Sequence, residues 1–188
     1  SVRATSLNLI ERGLKGIRDV VRSTLAAYRA DRDPRHLTSA DLDDLRLLVG
    51  PEVARRVLTL DWQNLLDGEL PVEATASRQV ALNLLLNAIH VSPSGAKVIF
   101  VSAIESEFLL LEVHDQGPGF SPEARAVLAG ESNRPAPIGE GTGLGLWVTR
   151  RLLQDMGGKA VIATSPLGGA LVRVTIPIRT REELRDVA

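Results

Sequence analysis

Along the first part of the chain, Leu7, Ile10, Leu14, Ile17, Val21, Thr24 and Tyr28 recur at alternating steps of three and four. That spacing winds one seam along a helix of about residues 4–30. Glu11, Arg12, Arg18, Asp19 and Arg22 fall away from the seam, as on a solvated face, and Gly13 and Gly16 weaken the helix locally. The sustained heptads predict a helical hairpin or dimer seam, although a helix packed on its own domain fits the spacing nearly as well. Residues 29–37, with Asp31, Asp33 and Pro34, read as a linker.

Beyond the linker, Ser39 can cap a helix over about 40–56 whose first turn carries Asp41, Asp43 and Asp44. Pro51 is expected to interrupt it or end its first part. Residues 57–62 alternate in strand fashion, and 70–73 can pair with them across the Asp67-Gly68 turn. A helix over about 77–91 follows, then two strands at 97–104 and 107–115. Residues 116–141 are loop-rich, with Pro118, Pro122, Pro135 and Pro137, and hold a short helix near 123–128. A helix ending at Gly157-Gly158 and two strands at 159–164 and 170–176 complete the pattern. Strands arriving mostly in hairpins with helices between them predict an α+β fold. It is a two-layer sandwich in which a mixed, mostly antiparallel sheet is covered by helices on one face, preceded by the long N-terminal helix. The expected domains are 1–33 for the helix and linker, 34–180 for the globular domain, and 181–188 for a tail.

Composition narrows the function. The 188 residues are 44% hydrophobic and 24% charged, enough for one sizeable core. Lys and Arg total 22 against 23 Asp and Glu, so no overall field favours nucleic acid, and 3% aromatic content offers few stacking surfaces. The lack of cysteine rules out disulfides, thiolate metal sites and thiol nucleophiles. No apolar run approaches the roughly 20 residues that span a bilayer. The expectation is a cytoplasmic location, as a free chain or as the cytoplasmic part of a membrane-bound protein, with no membrane contact within these residues.

Three short motifs carry the chemistry. The stretch from Gly139 to Leu146 reads Gly-Glu-Gly-Thr-Gly-Leu-Gly-Leu and runs into helix-forming residues. Alternating glycines make neither helix nor strand, so they serve the backbone at a helix start, where free N–H groups and the dipole favour an anion such as phosphate. Asn83 and Asn87 stand four apart on one helix face amid Leu and Ala. Such amides either bond neighbouring backbone or offer a carbonyl oxygen to a hard cation. Asp115, in His114-Asp115-Gln116-Gly117-Pro118-Gly119, ends an apolar strand. Its carboxylate either caps the following turn or accepts a hydrogen bond from a ligand amine. A dinucleotide-binding reading of the glycines fails because a proline-rich loop, rather than a strand, precedes them.

In this order and at these separations the motifs resemble a family. Asn83-Leu-Leu-Leu-Asn87-Ala resembles the N box, Asp115-Gln-Gly117-Pro-Gly119 the G1 box, and Gly141-Thr-Gly143-Leu-Gly145-Leu the G2 box of sensor histidine kinases in the GHKL (Bergerat-fold) ATPase superfamily. The likeness covers about residues 38–178. Residues 6–29 are similar to the second helix of the dimerisation and phosphotransfer hairpin in those kinases. The resemblance implies ATP and Mg²⁺ as cofactors. It implies Asn87 on Mg²⁺, Asn83 and His90 near the phosphates, Asp115 on the adenine amine, and Gly117 and Gly119 lining the adenine pocket. Gly141, Thr142, Gly143, Leu144, Gly145 and Leu146 would meet the triphosphate. The family's F box and lid lysine are not recognisable in 120–138, which leaves Arg134 as the candidate γ-phosphate contact.

None of His36, His90 or His114 lies in a His-Glu-x-x-Asn-Pro helix, so the phosphoacceptor is expected upstream of Ser1 or on another protein. The resemblance therefore implies the ATP-binding catalytic portion of a two-component histidine kinase, dimeric through its N-terminal helix, with a phosphoacceptor hairpin and a response regulator as partners. The alternatives are a serine kinase of the anti-sigma-factor type and a dimeric nucleotide-binding scaffold without catalysis.

Overall fold

A computed structural model of the protein describes residues 35–132 and 144–178. The heptad helix expected over 4–30 and the tail 181–188 lie outside them. The elements are β1 (His36–Thr38), α1 (Ser39–Arg55), β2 (Thr59–Asn64), β3 (Glu69–Glu73), α2 (Ala74–Val91), β4 (Lys97–Glu105) and β5 (Phe108–His114), then α3 (Pro122–Ala129), α4 (Leu144–Met156), β6 (Lys159–Thr164) and β7 (Ala170–Pro177). Five strands form one sheet in the order β2-β4-β5-β7-β6, parallel only between β2 and β4.

The strand period of two sorts the sheet's residues by face. Val98, Phe100, Leu109, Leu111, Val113, Val172, Val174 and Ile176 are all buried on one side. They join a single core with Leu45 and Val49 of α1, Leu84, Leu85 and Ile89 of α2, and Leu146, Leu152 and Leu153 of α4. On the opposite face Glu112 lies beside Arg173, whose Nε donates to Glu112 Oε1 at 2.5 Å. The architecture is the expected mixed, mostly antiparallel sheet with helices on one side.

The expected hairpin between 57–62 and 70–73 does not form. β2 lies parallel to β4, with Thr59 beside Lys97, and β3 pairs antiparallel with β1. Side chains favour this arrangement: the Trp62 ring stacks on Phe100 at 4.1 Å, and Asp61 pairs with Lys97 at 2.8 Å. The end of the expected linker thus becomes the strand β1. α1 runs through Pro51 to Arg55, because Val49 before the proline is buried and Val53 after it also packs on the core.

Thr38 rather than Ser39 caps α1. Its hydroxyl accepts from Asp41 N–H, and the Asp41 carboxylate returns to Thr38 N–H at 2.8 Å, a reciprocal capping box. Asp41 is buried, and its two oxygens also take the Arg35 guanidinium at 2.8 Å each. Burial by itself would raise this carboxyl's pKa, but Arg35, the Thr38 N–H and the Thr38 hydroxyl together outweigh it and hold it at about 2.

Two predictions follow from α1. A carboxyl depressed from 3.8 to about 2 stabilises the fold above its unfolded pKa, and that stability is lost as pH falls through the folded value. The difference amounts to about 2 kcal/mol. Urea denaturation of wild type and Asp41→Asn between pH 5 and pH 2 should show the wild type losing its advantage over this window; parallel curves would contradict the assignment. At the other end of the helix, Val57 has φ 57, is 66% exposed and closes the turn by donating to Ala54 O at 3.1 Å. A β-branched residue is strained in that left-handed region, so Val57→Gly should raise denaturation stability by about 1 kcal/mol.

Candidate functional site

α2 is held at both ends. Glu73 caps its start by accepting from Thr75 N–H and Ala76 N–H, and Arg56 Nη2 donates to His90 O at 2.7 Å and to Ser92 O at 3.3 Å. The helix is buried along Val80, Ala81, Leu84, Leu85, Ala88 and Ile89, so Asn83 and Asn87 are presented at fixed positions beside an apolar surface. Asn83 is fully engaged. Its Nδ2 donates to Gly145 O and Thr149 Oγ1, both at 3.2 Å, and its Oδ1 accepts from Gln79 Nε2 at 2.8 Å. It fastens α2 to the first turns of α4. Asn87, one turn on, is different: its Nδ2 is buried and has no hydrogen-bond partner. An unsatisfied buried N–H donor is costly, so this amide lacks an acceptor that a ligand or water oxygen could supply. Gly145 lies over it, since a Cβ there would stand 3.9 Å from Asn87 Oδ1.

Asp115 follows the last residue of β5 and is 4% exposed. Its backbone N–H donates to Ala170 O at 2.9 Å. Its Oδ1 accepts from Gly117 N–H at 2.8 Å and from Ala170 N–H at 3.0 Å. Oδ1 therefore takes the turn-closing role, one of the two expected for this side chain. A cavity of about 360 Å³, including its solvent-open part, joins Asp115 to Asn87. Leu84, Ala88, Val91, Val113, Val172 and Phe120 wall it, and Gly119 borders it. Apolar walls with two convergent polar groups suit a flat, partly polar ligand. Gly117 is needed for close packing, because a Cβ there would meet Val91 Cγ2 at 2.6 Å.

The remaining site candidates divide. Leu146 is fully buried in the core, and Leu144 opens α4. His90 does not line the cavity; it sits half-buried against α1, its Nε2 3.6 Å from Glu52 Oε1. Arg134, Gly141, Thr142 and Gly143 lie outside the described residues. Among the described residues, no group of three or more His, Asp or Glu could hold a metal ion, so a cation here needs ligand oxygens besides Asn87. No described helix is long and apolar enough to cross a membrane. Two participants escaped sequence reasoning. Phe120 gave only the signal of a lone aromatic after the glycines. Gly169 had no role assigned to it, although it belongs to the Gly-Gly pair ahead of the last strand; a Cβ there would stand 2.4 Å from Asp115 O and 2.5 Å from its Oδ1.

Comparison with known proteins gives consistent matches. A family model described as histidine kinase-, DNA gyrase B-, and HSP90-like ATPase matches residues 73–180. Sporulation kinase E of Bacillus subtilis (strain 168) is 27% identical over 189 residues, covering 97% of this chain and 25% of its own length. Sensor protein KdpD of Escherichia coli (strain K12) is 32% identical over 118 residues, 61% of this chain and 13% of its own. The chain thus spans a quarter or less of these two relatives. Among solved structures, the catalytic domain of histidine kinase ThkA superposes with TM-score 0.63 at 20% identity, covering 74% of this chain and 92% of that one. Full-length ShkA, in complex with AMPPNP, gives 0.66 at 22% identity, covering 96% and 40%. At these identities the likeness is one of fold.

The surroundings of His90 make a measurable prediction. Burial lowers its pKa, Glu52 partly offsets this, and Arg56 and Arg55 lower it further. NMR titration should place its midpoint below the ordinary 6.5. Glu52→Gln should move it lower still; an unchanged midpoint would dissolve the pair.

Proposed function

The chain belongs to the histidine kinase-, DNA gyrase B- and HSP90-like ATPases, and from that membership we propose that it is the catalytic module of a two-component sensor histidine kinase. Mg-ATP is its substrate. The observation that carries this reading is the pairing of the free Asp115 acceptor with the unsatisfied Asn87 amide across one apolar cavity. Adenine is a flat base with one edge amine, and it fits between the apolar walls with that amine donating to Asp115 Oδ2. The carbonyl oxygen of the Asn87 amide would hold Mg²⁺, which would supply charge neutralisation at the phosphates. Which end of an amide carries oxygen is set by its partners, so the orphan nitrogen seen at Asn87 does not oppose this role. Asn83 acts from behind by holding α4, and with it Gly145, over the phosphates. Arg134 completes the anion site, with Gly141, Thr142, Gly143 and Leu144 along the triphosphate, while His90 stays apart beside Glu52.

The module's task is alignment and charge stabilisation more than covalent chemistry. An imidazole nitrogen of an acceptor histidine outside this chain attacks the γ-phosphorus. The bond from that phosphorus to the β–γ bridging oxygen breaks, ADP departs with the electron pair, and the imidazole sheds its N–H proton. The heptad seam of residues 7–28 supplies a homodimer and part of the acceptor hairpin, and a response regulator takes the phosphoryl group onward. The ATP requirement is met in a cytoplasmic location.

Purified protein should bind ATP with Mg²⁺ and label a supplied histidine hairpin with acid-labile, base-stable phosphate. Asn87→Ala should weaken Mg²⁺-dependent ATP binding at least about tenfold, on the order of a lost charge-assisted contact. Binding without any labelling would leave a nucleotide-binding scaffold; Mg²⁺-dependent affinity unchanged in Asn87→Ala would remove that residue from the metal.

A further inference from the structure

His114, the last residue of β5, and the two residues after it grip the five-residue turn between β6 and β7 together with the first residue of β7. His114 Nδ1 is 3.3 Å from Ser165 Oγ, Ala170 N–H donates to Asp115 Oδ1 at 3.0 Å, and Gln116 Nε2 donates to Leu167 O at 3.3 Å. The turn is itself closed. Ser165 N–H donates to Gly169 O at 2.8 Å, Gly168 N–H to Ser165 O at 2.9 Å, and Leu167 N–H to Ser165 Oγ at 3.1 Å. Because Ser165 Oγ accepts from Leu167, its own proton is available to His114 Nδ1. At the centre of this clasp, Gly169 leaves no room for a side chain against the Asp115 carbonyl and carboxylate.

We propose that the β6–β7 turn sets the base preference of the site, with Gly169 as the positioning residue that holds the Asp115 carboxylate in register. The proposal rests on the nucleotide reading given above. Two backbone N–H groups fix Oδ1, and with it the plane of the carboxylate, so a single oxygen is offered to the cavity. An acceptor held that way discriminates. It takes the amine of adenine and repels the carbonyl that stands in the same place on hypoxanthine, since two acceptors cannot share a hydrogen bond. A Cβ at 169 would approach backbone as well as the carboxylate, and backbone cannot swing aside like a flexible side chain. The carboxylate or the turn must move, Ala170 N–H loses its acceptor, and the free oxygen is no longer fixed. Gly169 touches no ligand in this scheme; it acts through Asp115.

The test compares ATP with inosine triphosphate, in which a carbonyl replaces the 6-amine and N1 carries a proton, on the 188-residue chain. Dissociation constants are measured by calorimetry for wild type, Gly169→Ala, Asp115→Asn and the double variant. The wild type should prefer ATP by at least about tenfold, the size of one discriminating hydrogen bond. Gly169→Ala should shrink that ratio at least about fivefold. The two substitutions should be strongly non-additive, because each removes the same acceptor. Should Gly169→Ala not fold, Ser165→Ala loosens the same turn without adding bulk and should narrow the ratio about twofold or more. A folded Gly169→Ala that retains the wild-type ratio, or additive effects with Asp115→Asn, overturns the proposal. So does an unchanged ratio in Ser165→Ala when Gly169→Ala is unfolded. Wild-type protein that binds neither nucleotide would instead overturn the reading of the site, which separates the two failures.

Discussion

Burial of α2 is the constraint on which the rest of this domain depends. Val80, Ala81, Leu84, Leu85, Ala88 and Ile89 are nearly inaccessible, and they meet the inward residues of β4, β5 and β7 on one side and α1 and α4 on others. Each large side chain so buried contributes roughly 1.5–3 kcal/mol. That makes the axial and rotational setting of the helix very hard to change. A polar residue placed on such a helix has its position decided for it, and its bonding must be arranged by what surrounds it. Asn83 is met by α4 and Gln79. Asn87 is left with an unmet donor next to a cavity. The helix therefore acts as a ruler that sets where the Asn87 end of the cavity can be.

The other end of the site is fixed by a different kind of bond. Asp115 lies where β5 leaves the sheet, and its carboxylate is tied to its own turn and to the first residue of β7. The distance between the two ends is then a property of helix-on-sheet packing, with Val113 and Val172 below and Leu84 and Ala88 above. The α2 C-terminus is pinned in turn by Arg56, which ties it to the end of α1. A change at the end of α1 can thus reach the site through the hydrogen bonds of the Arg56 side chain.

Much of this was legible in the chain, and the misses have definite causes. Asn87, Asp115 and Gly119 border one cavity as the motifs suggested, because the helical and strand periods that place them are strong and local. The wrong partner for β2 came from assuming that neighbours in sequence pair in space. The choice of β4 depends on Trp62 meeting Phe100, which no local pattern contains. β1 has only three residues, too few to show a period. The α1 cap could have been read correctly: Thr38 has Asp41 three residues on, as a capping box requires, whereas Ser39 has Leu42. What forbids a side chain at Gly169 is Asp115, 54 positions earlier in the chain, a contact that no local pattern contains.

The ladder between β5 and β7 carries a consequence for how the protein is made. His114 pairs with Leu171 and Phe108 with Pro177, so this ladder joins residues far apart in sequence, whereas β4 and β5 meet through a tight turn. Distant pairs carry the larger closure entropy and cannot form until both strands exist. On a ribosome, the helical ruler α2 and the β4–β5 hairpin emerge well before β7. Until Ala170 clears the exit tunnel, the Asp115 carboxylate lacks one of its two backbone anchors. A nascent chain therefore completes the anchoring of this carboxylate only once β7 has emerged.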